Sequence, residues 1–299
     1  MRRSERSTNS VVLRAMLFRW DADDTSWSEH GTEVELLQKS NRTPFASGEC
    51  RDAYRVECST NIFNDHSSPH YVRSNYVLKL SRPDYPKSIN GKRVLLKSDA
   101  TKAAHEAEVA SAMLSRGYAD EWNLVAAPLG YMSIHVVPAA LVLVGNEWGT
   151  VERLVEPFLP PGAFIHYNDP FGQEEFDGDL EVKETLAAFS HFTMTSAPTF
   201  VGADKFDLGA NLQVVLDLQG THVRNEVILT DVQICRRSGP QLGSPLMEIQ
   251  QAGFGGFCLH HKCSAVCTRL MKAKLMGKLP AKGKLRQVAT SDGKVWILK

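Results

Sequence analysis

VVLDLQGTHVRNEVILTDVQI, residues 214–234, holds two apolar runs joined by a polar turn, and each run carries one carboxylate, Asp217 in the first and Asp231 in the second. Leu212 to Leu218 and Val227 to Ile234 each read as a buried-type strand, so the stretch predicts a hairpin. An acid among apolar strand neighbours is costly unless it is paired or coordinates a cation. Two such acids on one hairpin point to a shared ion, with Gln219 and Asp231 supplying oxygen ligands of the kind Mg²⁺ accepts. Taken singly, each acid also reads as a capped turn.

Downstream lies His261-Lys-Cys263-Ser-Ala-Val-Cys267. If this segment is helical, Cys263 and Cys267 share a face one turn apart, and His261 is close enough to join them on one tetrahedral ion. A fourth ligand must come from elsewhere. His191 is the strongest candidate, because it lies on a predicted helix, Leu180 to Phe192, whose face is otherwise apolar; His260 is an alternative. Thiolate and imidazole together select Zn²⁺ over Mg²⁺ or Ca²⁺, and four protein ligands make a site structural. Two buried free thiols beside a surface histidine would give the same spacing.

Upstream, Val34 to Gln38, Ala53 to Glu57 and Tyr71 to Leu80 alternate or cluster apolar residues as strands do. The third carries Lys79 between Leu78 and Leu80. Asp99 to Arg116, free of Gly and Pro and rich in Ala, Glu and Met, predicts a helix. Its Glu106 and Glu108 are available to orient Lys79, although a snorkelling edge-strand lysine is the simpler reading of Lys79 alone. Ser47-Gly48-Glu-Cys-Arg51 is a turn able to fold over phosphates, and Gly253-Phe-Gly255-Gly256 is a second glycine cluster. Val136 to Val144 and Val151 to Leu159 read as further apolar segments, and Pro160-Pro-Gly162 as a hinge or lobe boundary.

The chain has 299 residues with 34 basic and 34 acidic side chains, but the balance is uneven. Residues 269–299 hold nine Lys/Arg against Asp292 alone, leaving residues 1–268 net acidic. That acidity disfavours a nucleic-acid binder working through the basic tail. Leu124 to Gly145, without formal charge, is broken by prolines and polar residues, so no transmembrane span is expected. MRRSERSTNS lacks a following apolar run, so no secretory signal is expected either. Six unevenly spaced cysteines fit reduced thiols in a cytoplasmic protein. Residues 1–12, mostly polar, are expected to be a disordered, dispensable extension.

In order, PFASGECRDAYRV, YVLKL, VEPFLPPGAFIHYND, AFSHFT, VVLDLQG, LTDVQI and HHKCSAVC resemble the alpha-kinases, an atypical protein kinase family, over roughly residues 33 to 275. The resemblance implies an α+β, two-lobed protein-kinase-like fold with a structural zinc site. The domain would span 13–275, with an N-lobe to about 155, a C-lobe of 156–275 and a basic tail of 276–299 open to a regulatory partner. It further implies ATP- and Mg²⁺-dependent transfer to serine or threonine of a protein substrate, with threonine favoured. Lys79 and Arg51 would bind the ATP phosphates beneath Gly48, and backbone groups around Glu156 and Leu159 would hold adenine. Asp217 would be the base or positioning carboxylate, Gln219 and Asp231 would hold Mg²⁺, and His191, His261, Cys263 and Cys267 would hold Zn²⁺. Val232 replaces the proline usual in the family's TDPQI, the glycine-rich segment is shorter than usual, and the stretch between His191 and Asp217 is longer. A pseudokinase keeping the fold as a nucleotide-binding scaffold is the rival reading.

Overall fold

The computed structural model describes residues 11–21, 26–28, 30–38, 43–47, 51–63, 71–82, 87–89, 92–94, 98–155, 164–170, 172–173, 178–195, 213–236, 247–273, 275, 285–290 and 293–298. The first strands are β1 Val11–Phe18, β2 Trp20–Asp21, β3 Ser26–Trp27, β4 Thr32–Gln38, β5 Ala46–Ser47 and β6 Arg51–Cys58. Next come β7 Tyr71–Ser81, β8 Lys87–Ile89, β9 Lys92–Val94 and the helix α1 Ser98–Val125. Then follow β10 Ser133–Val136, β11 Ala139–Val144, β12 Glu147–Val155, β13 Ile165–His166 and α2 Leu180–Thr195. The last elements are β14 Gln213–Leu216, β15 Gln219–Val223, β16 Glu226–Thr230, β17 Gln233–Arg236, α3 Met247–His260, α4 Ala265–Lys272, β18 Leu285–Thr290 and β19 Gly293–Leu298.

These elements fall into two compact units, one of residues 1–20, 27–105 and 138–156, the other of 21–26, 106–137 and 157–299. The expected single lobe to about 155 is thus interrupted. Residues 106–137 belong with the second unit because Tyr118, Trp122 and Met132 are built into its core. The glutamate and leucine expected at the hinge, Glu156 and Leu159, lie outside the described residues, as does Gly48.

In the first unit β4, β1, β11, β12, β7 and β6 pair in that order, and β6 pairs back onto β4, so the sheet closes on itself. Period-two alternation explains its filling. Ala15 and Leu17, Val34 and Leu36, Val56 and Cys58, Tyr76 and Leu78, and Ala140 and Val142 all join one core. Closure leaves few open edges for another strand to pair with. Strand β1 starts at Val11, two residues inside the expected disordered extension, because its pairing with β4 already begins there.

The second unit is organised around one long hairpin, with β15 paired to β16 and β14 to β17. The two strands predicted there are therefore four. Each run is interrupted at its acid, since Asp217 and Asp231 take left-handed φ of 53° and 56°, a conformation Asp tolerates better than most residues. Helix α1 runs nine residues past its expected end at Arg116, through Gly117 to Val125. Burial of Tyr118, Ala119 and Trp122 outweighs the propensity cost of that glycine, about 1 kcal/mol. Trp122 packs edge-on against Phe189 and Phe192 of α2 and donates from Nε1 to the Met132 carbonyl at 3.0 Å. The apolar segment Val136–Val144 holds the end of β10 and all of β11, divided before Ala139 where Pro138 cannot donate to a ladder. The expected C-terminal tail includes the antiparallel pair β18–β19, which runs alongside α3. Among the described residues no helix is long and apolar enough to cross a membrane.

Candidate functional site

In the first unit, Lys79 sits on β7 opposite Thr150 of β12. Leu78 and Val151 face the core, so Lys79 and Glu152 project from the other face of the sheet. There the Lys79 Nζ meets a Glu152 carboxylate oxygen at 2.8 Å, with both side chains almost closed to water. The expected orienting carboxylate was on the α1 helix, at Glu106 or Glu108; the ion pair observed comes from a strand. Glu152 is followed directly by Arg153 within Val151 to Val155, so its sequence signal is weaker than that of Asp217 among apolar neighbours.

His105, fully packed at 2% exposure, lies beside this pair. Its Nε2 is 3.0 Å from Ser81 Oγ, and Ser81 stands opposite Arg51 in the β6–β7 register. Burial first, then the charges of Arg51 and Lys79, push its pKa down to about 3. Arg51 and Lys79 are thus brought together around a neutral imidazole.

In the second unit the two left-handed breaks face each other. Leu216 pairs with Gln233 on one side and Gln219 with Thr230 on the other, so residues 217–218 lie across from 231–232. Gln233 donates from Nε2 to Asp217 Oδ2 at 3.1 Å. Gln219 donates toward the same oxygen at 3.4 Å and to the Asp231 carbonyl at 3.3 Å. Asp217 and Gln219 therefore meet through their side chains, while Asp231 is joined to Gln219 through its backbone carbonyl, a geometry that differs from acids embedded in strands. Gln233 was part of the quoted motif without an assigned role.

Several neighbours fix these breaks. Ser190 of α2 donates to the Val215 carbonyl at 2.8 Å, and Thr193 accepts from the Val215 N–H at 3.0 Å. Asn168 Oδ1 accepts from the Leu218 N–H at 2.7 Å. A Cβ on Gly220 would come within 2.0 Å of the Ile228 carbonyl oxygen, so the glycine of the DLQG motif permits close approach of β15 and β16. The second glycine cluster is inside α3, not a loop, and a Cβ on Gly253 would strike the Pro170 carbonyl and Cys235. Burial, with Asp217 nearby, pushes the Cys235 thiol up to about 12.

His191, His261, Cys263 and Cys267 also meet, their ligand atoms lying within 4.8 Å of one another. Cys263 Sγ is 3.7 Å from His191 Nδ1, and Cys267 Sγ is 3.6 Å from His261 Nε2. A tetrahedron with bonds of about 2.0–2.3 Å has ligand separations of roughly 3.3–3.8 Å, so the donor set fits zinc. The helix expected to carry both cysteines carries one. Cys263 precedes α4, whose N-cap Ser264 accepts from the Cys267 N–H. His260 ends α3 and is absent from this cluster. Burial, then His191, lowers the His261 pKa to about 4, and burial raises both thiols.

The alpha-kinase family matches residues 46–267. Myosin heavy chain kinase D of Dictyostelium discoideum is 24% identical over 270 residues, 85% of this chain and 26% of that protein. Myosin heavy chain kinase B of the same organism is 23% identical over 252 residues, 84% of this chain and 28% of that protein. The chain thus spans about a quarter of the length of these curated relatives. Among solved structures, the alpha-kinase domain of myosin heavy chain kinase A in complex with ADP superposes with a TM-score of 0.58 at 21% identity, covering 87% of this chain and 96% of that one. The same domain in complex with AMP-PNP gives 0.57 at 19% identity, with coverage of 93% and 99%. These structural likenesses show a shared fold.

Proposed function

Because the chain belongs to the alpha-kinase family, we propose that it transfers the γ-phosphoryl group of ATP to a serine or threonine hydroxyl of a protein, threonine being favoured. The observation that carries this reading is the hydrogen-bonded grouping of Asp217, Gln219, Gln233 and the Asp231 backbone carbonyl at two facing breaks of one hairpin. Asp217 is assigned to the acceptor hydroxyl. Its carboxylate takes the proton as the new oxygen–phosphorus bond forms, while the bond from Pγ to the β,γ-bridging oxygen breaks and ADP departs. Gln233 fixes the carboxylate's rotation through the hydrogen bond to Oδ2.

Gln219 and Asp231 would hold Mg²⁺, which when bound neutralises charge on the transferring phosphoryl. Lys79 and Arg51, together with Gly48, are assigned to the ATP phosphates, and the backbone around Glu156 and Leu159 to adenine. The Glu152 carboxylate holds the Lys79 Nζ at 2.8 Å in a nearly dry site. Zn²⁺ on His191, His261, Cys263 and Cys267 is structural and would tie α4 to α2. A cytoplasmic location and a regulatory partner for the basic C-terminal segment belong to the same reading.

Purified protein, γ-labelled ATP and a generic basic protein test it. Label should appear on serine or threonine of the acceptor and fall at least tenfold, about 1.4 kcal/mol of barrier, in Asp217→Ala. Nucleotide binding with no transfer by the wild type would identify a scaffold instead.

A further inference from the structure

Most buried side chains of α2 are apolar, Leu186, Phe189 and Phe192 among them, yet the hydroxyl residues Ser190 and Thr193 are buried as fully, at 0% and 1% exposure. A buried hydroxyl costs free energy unless its hydrogen bonds are made. Both residues turn theirs to one position of the hairpin. Ser190 Oγ donates to the Val215 carbonyl at 2.8 Å, and Thr193 Oγ1 accepts from the Val215 N–H at 3.0 Å while donating to the Ser190 carbonyl at 2.8 Å. That last bond uses the Thr193 proton and leaves its oxygen to receive Val215.

Val215 lies on β14, which among the described residues pairs with β17 alone. In an antiparallel strand both polar groups of a residue point to the same side, and at Val215 that side is α2. The two hydroxyls thus stand in for a second neighbouring strand. Three residues on, the Leu218 N–H donates to Asn168 Oδ1 at 2.7 Å, and the Leu218 carbonyl accepts from the Tyr167 N–H at 2.8 Å. Between these two clamps lie Leu216 and Asp217, and there Asp217 holds its left-handed φ of 53°. A residue other than glycine keeps such a conformation where its surroundings determine it.

We propose that Ser190 and Thr193 are positioning residues for phosphoryl transfer: by gripping both polar groups of Val215, they set the backbone from which the Asp217 carboxylate reaches the acceptor hydroxyl. They act through Val215. Gln233 sets the rotation of the carboxylate, and the clamp sets where its backbone stands. The same turn of α2 carries His191, so the helix that brings this histidine to His261, Cys263 and Cys267 is also the one that aligns Asp217. The assignment rests on the kinase reading of Asp217 and adds two residues to that site.

Thr193→Val removes the hydroxyl at nearly constant size, and Thr193→Ser keeps it. Single-turnover transfer from γ-labelled ATP to a basic acceptor protein is measured for both and for the wild type, with each rate referred to the nucleotide-binding sites titrated in the same sample, so that an unfolded fraction cancels. Thr193→Val should lose at least about tenfold in rate with ATP affinity unchanged, whereas Thr193→Ser should retain most of the wild-type rate. Amide exchange over residues 213–218 should rise about tenfold in Thr193→Val and stay near the wild-type value in Thr193→Ser, with α1 unchanged in both. Should Thr193→Val fail to fold, Ser190→Ala carries the same two measurements through the Val215 carbonyl. A rate equal to the wild type's in Thr193→Val, or an equal loss in Thr193→Ser, overturns the positioning role. A wild type that transfers nothing while exchange responds as stated supports the clamp on Asp217 and contradicts the kinase reading. Unchanged exchange overturns the clamp whether or not transfer occurs.

Discussion

Lys79 and Glu152 leave water together, and a buried pair of this kind is sensitive to losing one member. Glu152→Gln strands the ammonium, and a broken buried pair costs about 3–5 kcal/mol. A drop in the urea midpoint together with a raised KM for ATP is the expected result; unchanged values for both would show that Glu152 supports neither stability nor nucleotide binding. His105 adds a pH dependence. Its folded pKa, about 3, lies below the value near 6.5 of an exposed histidine, so the unfolded chain binds the extra proton first as pH falls. Its contribution is complete above about pH 6.5 and declines as pH drops toward 3. His105→Asn should therefore flatten the stability curve between about pH 6.5 and 4, and denaturation across that range reads the difference. Neither Glu152 nor His105 was read from the sequence. A carboxylate in a strand and a histidine in a helix acquire meaning only from the partner that the sheet register or the fold brings to them.

At the level of elements, the hairpin that carries Asp217 and Asp231 shows what sequence patterning conveys and what it hides. The apolar runs on either side of Asp217 and Asp231 correctly marked buried strands. The breaks were invisible, because an aspartate in the left-handed region has the same letter as one in a strand, and only pairing of Leu216 with Gln233 and of Gln219 with Thr230 reveals them. The glycine of the motif was legible as a signal, though its reason, the Ile228 carbonyl 2.0 Å from any Cβ, was not. Gly220→Ala should cost about 2–3 kcal/mol by overpacking, measured by urea denaturation; a change inside experimental scatter would refute the close-approach explanation. Spacing alone also sufficed to group His261, Cys263 and Cys267, while placing Cys263 wrongly inside a helix. If the proposed zinc joins α4 to α2, Cys267→Ser lowers metal content and melting temperature together. Elemental analysis of a well-folded, active wild type that holds no stoichiometric zinc would overturn that proposal.

Across the chain, local pattern identified most strands and helices, but not the closing of the first unit's sheet. The β4–β6 pairing joins Leu36 to Cys58, and nothing in the alternation of either strand names the other as neighbour. Nor did it show that residues 106–137 leave the first unit, a consequence of Trp122 packing with Phe189 and Phe192. Closure makes β1 an interior strand, paired on both sides, so a chain starting at Val11 keeps the sheet whereas one starting at Arg19 opens it. The first should retain cooperative thermal unfolding and the second should lose it; a cooperative transition in the shorter chain would contradict the closed sheet. The central claim concerns Asp217, and its most direct measurement is single-turnover transfer from γ-labelled ATP to an acceptor protein by wild type and Asp217→Asn, with nucleotide affinity determined on the same samples. Transfer by the wild type is expected, with a loss of at least about a hundredfold, near 2.7 kcal/mol of barrier, in a variant that still binds ATP. Equal transfer rates in the two proteins would contradict the role assigned to Asp217.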